Sequence, residues 1–228
     1  MAQVKRIYVE KKEDYAVAAK ELKTEIREYL GIRDLERVRV LIRYDVEGIG
    51  EGTYEKALAT VFSEPPVDHV YEGEFEKQEG DRVFSVEYLP GQFDQRADSC
   101  AQCIQLLTGG ERPQVAAAKV YVLEGALTDA EKEKVKTYLI NPVDTREAAM
   151  DKPATLKTSY EIPTGVATVT GFTAMHETAR AALLHELGLA MDADDLAFLQ
   201  DYFRDTEKRD PTITEVRMID TYWSDHCR

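Results

Sequence analysis

The sequence predicts an α+β protein: a duplicated strand–helix–strand–helix unit that builds one mainly antiparallel sheet with helices packed on it, followed by a small helical linker domain. Three observations lead to this prediction. Residues 37–46 alternate between apolar and charged side chains, as in a strand with one buried face. Residues 1–147 fall into two similar halves, and residues 148–228 carry mainly helical patterns.

The first half contains two predicted strands, each followed by a helix. We expect strands at residues 4–10 and 37–46, helices at 14–30 and 53–62, and a short strand at 69–75. Asp14 is the predicted cap of the first helix, Gly31 ends it, and Pro65-Pro66 ends the second.

The second half repeats this order. We expect strands at residues 82–89 and 119–123 and helices at 94–107 and 128–140, with Thr128 and Glu131 forming a capping box. Glu55-Lys56 recurs as Glu131-Lys132, and residues 66–68 (PVD) recur as residues 142–144. Both repeats lie 76 positions apart, which independent coincidences rarely produce. We infer an internal duplication whose two copies share one core.

The remaining chain reads as a helical linker domain. Residues 145–157 are polar and mark the domain boundary, placed between residues 147 and 148. Residues 160–170 are compatible with a short strand pair. Three helices follow, at residues 175–187, 193–203 and 212–222, the second capped by Asp192 and the third by Thr212 with Glu215.

The composition excludes several classes of protein. The 228 residues carry a formal net charge of −14, without a concentrated basic patch, so nucleic acid is not an expected partner. The sequence has no apolar run long enough to span a bilayer and no secretory signal pattern. Three cysteines, an odd number, argue against a disulfide framework. We therefore expect a reduced, cytoplasmic protein that does not bind membranes.

Four segments resemble the N-terminal region of the large, single-chain phosphoribosylformylglycinamidine synthases of purine biosynthesis. They are IRYDVEGI (42–49), LPGQFDQRADSCAQCIQLL (89–107), INPVDTRE (140–147) and RDPTITEVRMIDTYWSDHCR (209–228). The most specific is WSDHC, which is similar to the family's S-[DE]-H-C motif where its synthetase domain begins. The resemblance extends over nearly the whole chain.

The resemblance implies a reaction and a set of partners. Such an enzyme converts formylglycinamide ribonucleotide to formylglycinamidine ribonucleotide with ATP, Mg²⁺ and glutamine, and a glutaminase domain supplies the ammonia. The N-terminal domain of these enzymes looks like two fused copies of a small accessory subunit, in agreement with the duplication. We expect this chain to be a fragment that holds no cofactor, is inactive alone, and has the downstream synthetase and glutaminase domains as partners.

The resemblance also suggests candidate site residues. His226 matches the family's active-site histidine beside the substrate amide, where it would act only in the full-length enzyme. Gln92, Phe93, Gln95 and Arg96 form a polar loop with one aromatic residue, which would dock the glutaminase or line an ammonia path. Ordinary turn and helix-start chemistry explains these four residues equally well.

Other polar residues have simpler interpretations. Cys100 and Cys103 form a C-x-x-C spacing, for which we expect a buried, inert pair, since a zinc site needs two further ligands and none is clustered here. Arg37, Arg39 and Arg43 are expected to pair with acidic residues of a neighbouring strand rather than to bind phosphate. The sequence shows no metal site and no phosphate-binding glycine loop.

A second hypothesis treats the chain as a stand-alone α+β module without catalysis. Such a module would form homo-oligomers or bind other proteins through a sheet edge. The oligomeric state and the surface that meets a glutaminase stay open at this point.

Overall fold

The computed structural model describes residues 3–157 and 164–223. The chain folds as two compact units, Met1–Thr158 and Ser159–Arg228. No helix in the described ranges is long and apolar enough to cross a membrane.

The first unit is one six-stranded sheet with helices on one face. Its elements are β1 (Lys5–Lys11), α1 (Val17–Glu28), β2 (Leu35–Glu47), α2 (Glu51–Ala57), β3 (Asp68–Glu72), β4 (Arg82–Tyr88), α3 (Gln95–Thr108), β5 (Gln114–Gly125), α4 (Asp129–Leu139) and β6 (Thr145–Ala148). The strand order is β3-β1-β2-β5-β4-β6, and every neighbouring pair is antiparallel. The predicted α+β class is confirmed.

The strand registers reveal an approximate two-fold axis. Lys5 pairs with Val46, and Arg82 pairs with Leu123, so both partners move by 77 positions from one half to the other. The same shift relates the pairing of β1 with β3 to that of β4 with β6. At the centre, Ile42 of β2 pairs with Lys119 of β5, its own counterpart 77 positions later. The axis therefore passes between Ile42 and Lys119.

Two hydrophobic clusters join helices from different halves. Leu22 and Ile26 of α1 pack with Val135 of α4 against Phe84 and other residues of the second half's strands. In the other cluster, Tyr54 and Phe62 pack with Cys100 and Ile104 of α3 against β1 and β2. Because each half contributes its first helix to a cluster with the other half, neither copy has a complete core by itself.

The second unit is a small helical bundle. It contains α5 (Glu177–Leu187), α6 (Ala193–Tyr202) and α7 (Ile213–Trp223). Phe172, Leu196, Phe203 and Val216 form its core, each at most 2% exposed. The predicted caps are confirmed: Asp192 accepts the amides of Asp194 and Asp195, and Thr212 and Glu215 bind each other's backbone amides.

Several predicted elements need correction. Asp14 does not cap α1, because Glu13–Tyr15 forms a separate 3-10 turn and Ala16 holds the N-cap position. β5 starts at Gln114, earlier than predicted, since pairing with β2 over its full length overrides the weak strand preference of residues 116–118 (AAA). The first strand of the predicted pair at residues 160–170 lies largely outside the described residues; in the described part, Thr168 forms a single bridge, with Thr212.

The predicted boundary segment belongs largely to the first unit. Residues 145–148 form edge strand β6, which pairs with β4 and whose polar composition suits an edge. Thr155 and the amide of Leu156 bind the carboxylate of Glu47 on β2. The first unit accordingly extends to Thr158, whereas the sequence pattern placed the boundary after Glu147.

Candidate functional site

A groove runs over the helix-covered face of β2 and β5, along the approximate two-fold axis. It consists of two cavities of about 900 and 650 Å³. Both cavities are lined by the same five residues: Tyr44, Arg96, Lys119, Tyr121 and Leu139. We call the two cavities together the central groove. Each of the two cavities has a volume in the range of small-molecule binding sites.

Two tyrosines occupy equivalent places in this groove. Tyr44 and Tyr121 are 77 positions apart, one on each central strand, and are 5% and 8% exposed. Burial raises the pKa of both phenols, so both are neutral at physiological pH. The Arg96 guanidinium opposes this pKa shift at Tyr44, because it lies next to the hydroxyl oxygen.

The four predicted docking residues lie at the N-terminal end of α3, and their environments differ. The side chain of Asp94 caps α3 by accepting the amide of Ala97, at 2.9 Å. Gln92, Phe93 and Gln95 are exposed, Phe93 to 71%.

Arg96 is exposed too, and its side chain lines the central groove. Its Nη1 lies 3.3 Å from the Tyr44 hydroxyl oxygen. All four residues are exposed, but Gln95 and Arg96 line the groove, whereas Gln92 and Phe93 do not.

The remaining sequence candidates have mixed outcomes. His226 lies outside the described residues. Cys100 is buried, and desolvation raises the pKa of its thiol to about 12, as suits an inert thiol. The expectation of a buried pair is wrong for Cys103, which is exposed and borders the smaller cavity of the groove. No cluster of three metal-ligating residues occurs in the parts of the chain that the structure describes.

The sheet face away from the helices carries a buried ionic cluster. Arg6 and Asp45 form a bidentate pair with distances of 2.6 Å (Nε–Oδ1) and 2.8 Å (Nη2–Oδ2). Arg43 lies 3.5 Å from the same carboxylate and donates to the carbonyl of Ala149 at 2.7 Å. Desolvation, and then repulsion by Arg6, lowers the pKa of Arg43. This cluster fastens the segment after β6 to the sheet.

The predicted pairing of the strand arginines is confirmed for Arg39. Its Nε and Nη2 atoms bind the carboxylate of Glu10 on β1 at 2.8 and 2.6 Å. These bonds raise the pKa of Arg39. The predicted pairing is also confirmed for Arg37, which lies 3.7 Å from Glu124 on the neighbouring strand β5 and also pairs with Glu13. Arg43 pairs instead with Asp45 on its own strand.

Sequence reasoning missed the central groove. One signal was present: Tyr44 and Tyr121 occur at equivalent positions of the duplication. Alternation alone could not show that the helices leave space above these residues, since that depends on how four helices share one sheet.

The fold and the site define a class of protein: a two-fold α+β platform joined in sequence to a small helical unit. Residues 181–228 match the family model of the formylglycinamide ribonucleotide amidotransferase linker domain. No curated protein gives a significant match to the chain. The match confirms the resemblance to the N-terminal region of the synthase with its linker, and it places the similarity among the amidotransferases of purine biosynthesis.

Proposed function

We propose that this chain is the N-terminal part of a phosphoribosylformylglycinamidine synthase, the ligase that makes formylglycinamidine ribonucleotide from formylglycinamide ribonucleotide with ATP and glutamine. The observation that carries the proposal is the linker-domain match at residues 181–228. The two-fold platform is consistent with it, since the resemblance implies two fused copies of an accessory subunit. ATP and Mg²⁺ belong, on this proposal, to the downstream synthetase domain.

Within that enzyme, the chain acts as a docking platform. The exposed side chains of Gln92, Phe93 and Gln95, at the start of α3, are the proposed contact with the glutaminase domain. Phe93 offers an apolar anchor that is 71% exposed, and Gln92 and Gln95 flank it with amide groups. An aromatic anchor with a polar rim is the usual composition of a protein interface. His226 would assist at the substrate amide of the assembled enzyme.

The alternative, a stand-alone module that oligomerises through its sheet edges, has less support. The edge strands β3 and β6 have only five and four residues, and each carries charged side chains. Short, charged edges are a common device against edge-to-edge pairing. Sedimentation velocity tests this alternative: a concentration-dependent dimer that dissociates when β3 is altered would support it.

The experiment for the main proposal uses reconstitution. The 228-residue chain is added to separately produced synthetase and glutaminase portions of the family enzyme, and product formation is measured with glutamine and with ammonia. We expect no turnover by the chain alone and a higher glutamine-dependent rate when it is added. An unchanged glutamine-dependent rate would contradict the proposal.

Paired variants isolate the docking surface. The double variant Gln92→Ala/Phe93→Ala should lower the glutamine-dependent rate and leave the ammonia-dependent rate unchanged. Only the glutamine-dependent reaction needs a docked glutaminase. Tyr29→Ala is the matched control, since Tyr29 is another exposed aromatic residue of the first unit, at 77%. Equal ratios of the two rates in all three proteins would exclude docking through this loop.

A further inference from the structure

Among the charged side chains that line the central groove, the acidic residues all have partners, whereas several cations have none in the described part of the chain. Every acidic residue among them is engaged: Glu10 with Arg39, Glu13 with Arg37, Asp68 with Lys11, Glu87 with Arg146, and Asp94 with the amide of Ala97. The cations are different. Within the described residues, the side chains of Lys20, Lys23 and Lys119 have no ion-pair or hydrogen-bond partner, and Arg96 contacts only the Tyr44 hydroxyl.

The groove has an excess of positive charge, although the chain as a whole is acidic. The protein has a formal net charge of −14, yet the groove collects four cations that no described acidic residue neutralises. Cations gathered in a cleft with low-dielectric walls create a local positive potential that attracts anions. The groove is therefore complementary to a negatively charged ligand.

A tyrosine hydroxyl in the groove also lacks a protein partner. Tyr121 is 8% exposed, and its hydroxyl makes no hydrogen bond with any described residue. Tyr54, which is 4% exposed, shows the usual arrangement, since its hydroxyl donates to Glu72 at 2.7 Å. The Tyr121 hydroxyl oxygen is not fully buried, so it is accessible from the groove and is a candidate hydrogen-bond partner for a ligand there.

The duplication provides an internal comparison. Lys119 takes the place that Ile42 holds in the first half, although both side chains face the helix layer. Ala19 and Ala97 are equivalent buried residues of α1 and α3, so Arg96 takes the place of Ala18. The first copy keeps apolar residues at both positions. The fold itself therefore does not require either cation.

We propose that the central groove binds a small organic anion, with its acid group between Arg96, Lys119 and the tyrosine hydroxyls and its apolar body on the floor of β2 and β5. Val40 and Ile42 supply that floor, and both remain partly exposed. An apolar cavity with a few convergent polar groups is the usual form of a small-molecule site. The proposal does not depend on the docking role of Phe93.

The test is a calorimetric titration of the 228-residue chain with octanoate, octanol and inorganic phosphate. We expect one octanoate to bind per chain. Octanol, which has no acid group, and phosphate, which has no apolar body, should bind at least about tenfold more weakly. Octanoate binding should also weaken as ionic strength rises.

Variants assign the binding to the groove. Lys119→Met and Arg96→Gln should each weaken octanoate binding about tenfold, and Tyr121→Phe a few-fold. Lys132→Met is the matched control, since Lys132 is a partly exposed lysine on α4 that does not line the groove, and the octanoate affinity of this variant should match that of the wild type. Circular dichroism and urea unfolding confirm that each variant is folded.

Three results would overturn the proposal. The first is an absence of octanoate binding. The second is equal affinity for octanoate and octanol, which would show a purely apolar cavity. The third is an unchanged octanoate affinity in the folded Lys119→Met/Arg96→Gln double variant. If octanoate does not bind but an acidic peptide does, the groove is a protein-docking surface instead.

Discussion

Arg6 and Asp45 face each other across β1 and β2 as a bidentate ion pair in which each side chain is 3% exposed. Asp45 also pairs with Arg43, at 3.5 Å. One buried anion thus balances two buried guanidinium groups, which also donate to the carbonyls of Ala149, Met150 and Asp151 and to the hydroxyl of Ser85. The cluster depends on Asp45 more than on either arginine.

We predict that Asp45→Asn lowers the free energy of unfolding by about 3–5 kcal/mol, because it leaves two buried cations without a counter-charge. Urea denaturation measures this change. The control is Glu13→Gln, which breaks the exposed pair with Arg37 and should behave like an ordinary surface substitution. Equal effects of the two substitutions on the free energy of unfolding would show that the buried cluster stabilises the fold no more than an exposed ion pair does.

A second prediction concerns Gly125, at the end of β5. Its φ is +131°, and a Cβ atom there would lie 2.2 Å from the carbonyl oxygen of Asp34. The register between β2 and β5 shifts at this point, between Leu35 and Arg37, so the two backbones approach closely. Gly125→Ala should therefore destabilise the protein by more than about 2 kcal/mol, measured by urea unfolding.

The matched substitution is Gly52→Ala. Gly52 lies within α2, its φ is not positive, and no neighbouring atom lies within 4 Å of the position that a Cβ would take. Alanine there should raise the free energy of unfolding by up to about 1 kcal/mol. If both glycine substitutions changed stability in the same direction, the explanation from close backbone approach would be wrong.

The two-fold arrangement could be predicted from the sequence, whereas the groove could not. Glu55-Lys56 and its counterpart 76 positions later revealed the duplication, and alternation placed Val38 and Tyr44 on the buried face. These signals are local. The space above Tyr44 and Tyr121 arises where helices from different halves pair, which no local pattern encodes.

Edge strand β6 was missed for a related reason. Thr145–Ala148 has a polar composition, which resembles a linker when read alone. It becomes a strand because β4 offers an unpaired edge, with Ser85 opposite Ala148. Tertiary pairing decided its structure rather than intrinsic preference.

The third prediction is a pH dependence of the second unit. The Arg209 guanidinium, followed by the amide and hydroxyl of Thr212, lowers the pKa of Glu215 from 4.5 to about 2. A carboxylate with a lowered pKa in the folded state stabilises the fold above its unfolded pKa, and this contribution is lost as the pH falls through the folded pKa. The stabilisation by Glu215 should therefore be complete above pH 4.5 and disappear toward pH 2.

Thermal unfolding of the wild type and of Glu215→Gln at several pH values checks this. The wild type should melt at the higher temperature near neutral pH, and the difference should shrink between pH 4.5 and about 2. Glu186→Gln is the control, because Glu186 is exposed and makes no ion pair among the described residues. A constant difference between wild type and Glu215→Gln across this range would refute the assignment.

The last prediction separates the two cysteines of α3. Cys103 is exposed, whereas Cys100 is 5% exposed and the pKa of its thiol is raised to about 12 by burial. Since the thiolate is the reactive form, iodoacetamide at mildly alkaline pH should modify Cys103 and spare Cys100 in the folded protein. Mass spectrometry of the digested protein reports each site. Both thiols should react once urea unfolds the chain, and Cys103→Ser should leave Cys100 protected. Rapid labelling of Cys100 in that folded variant would mean that the core formed by α2 and α3 opens far more readily than its packing around Cys100 and Ile104 indicates.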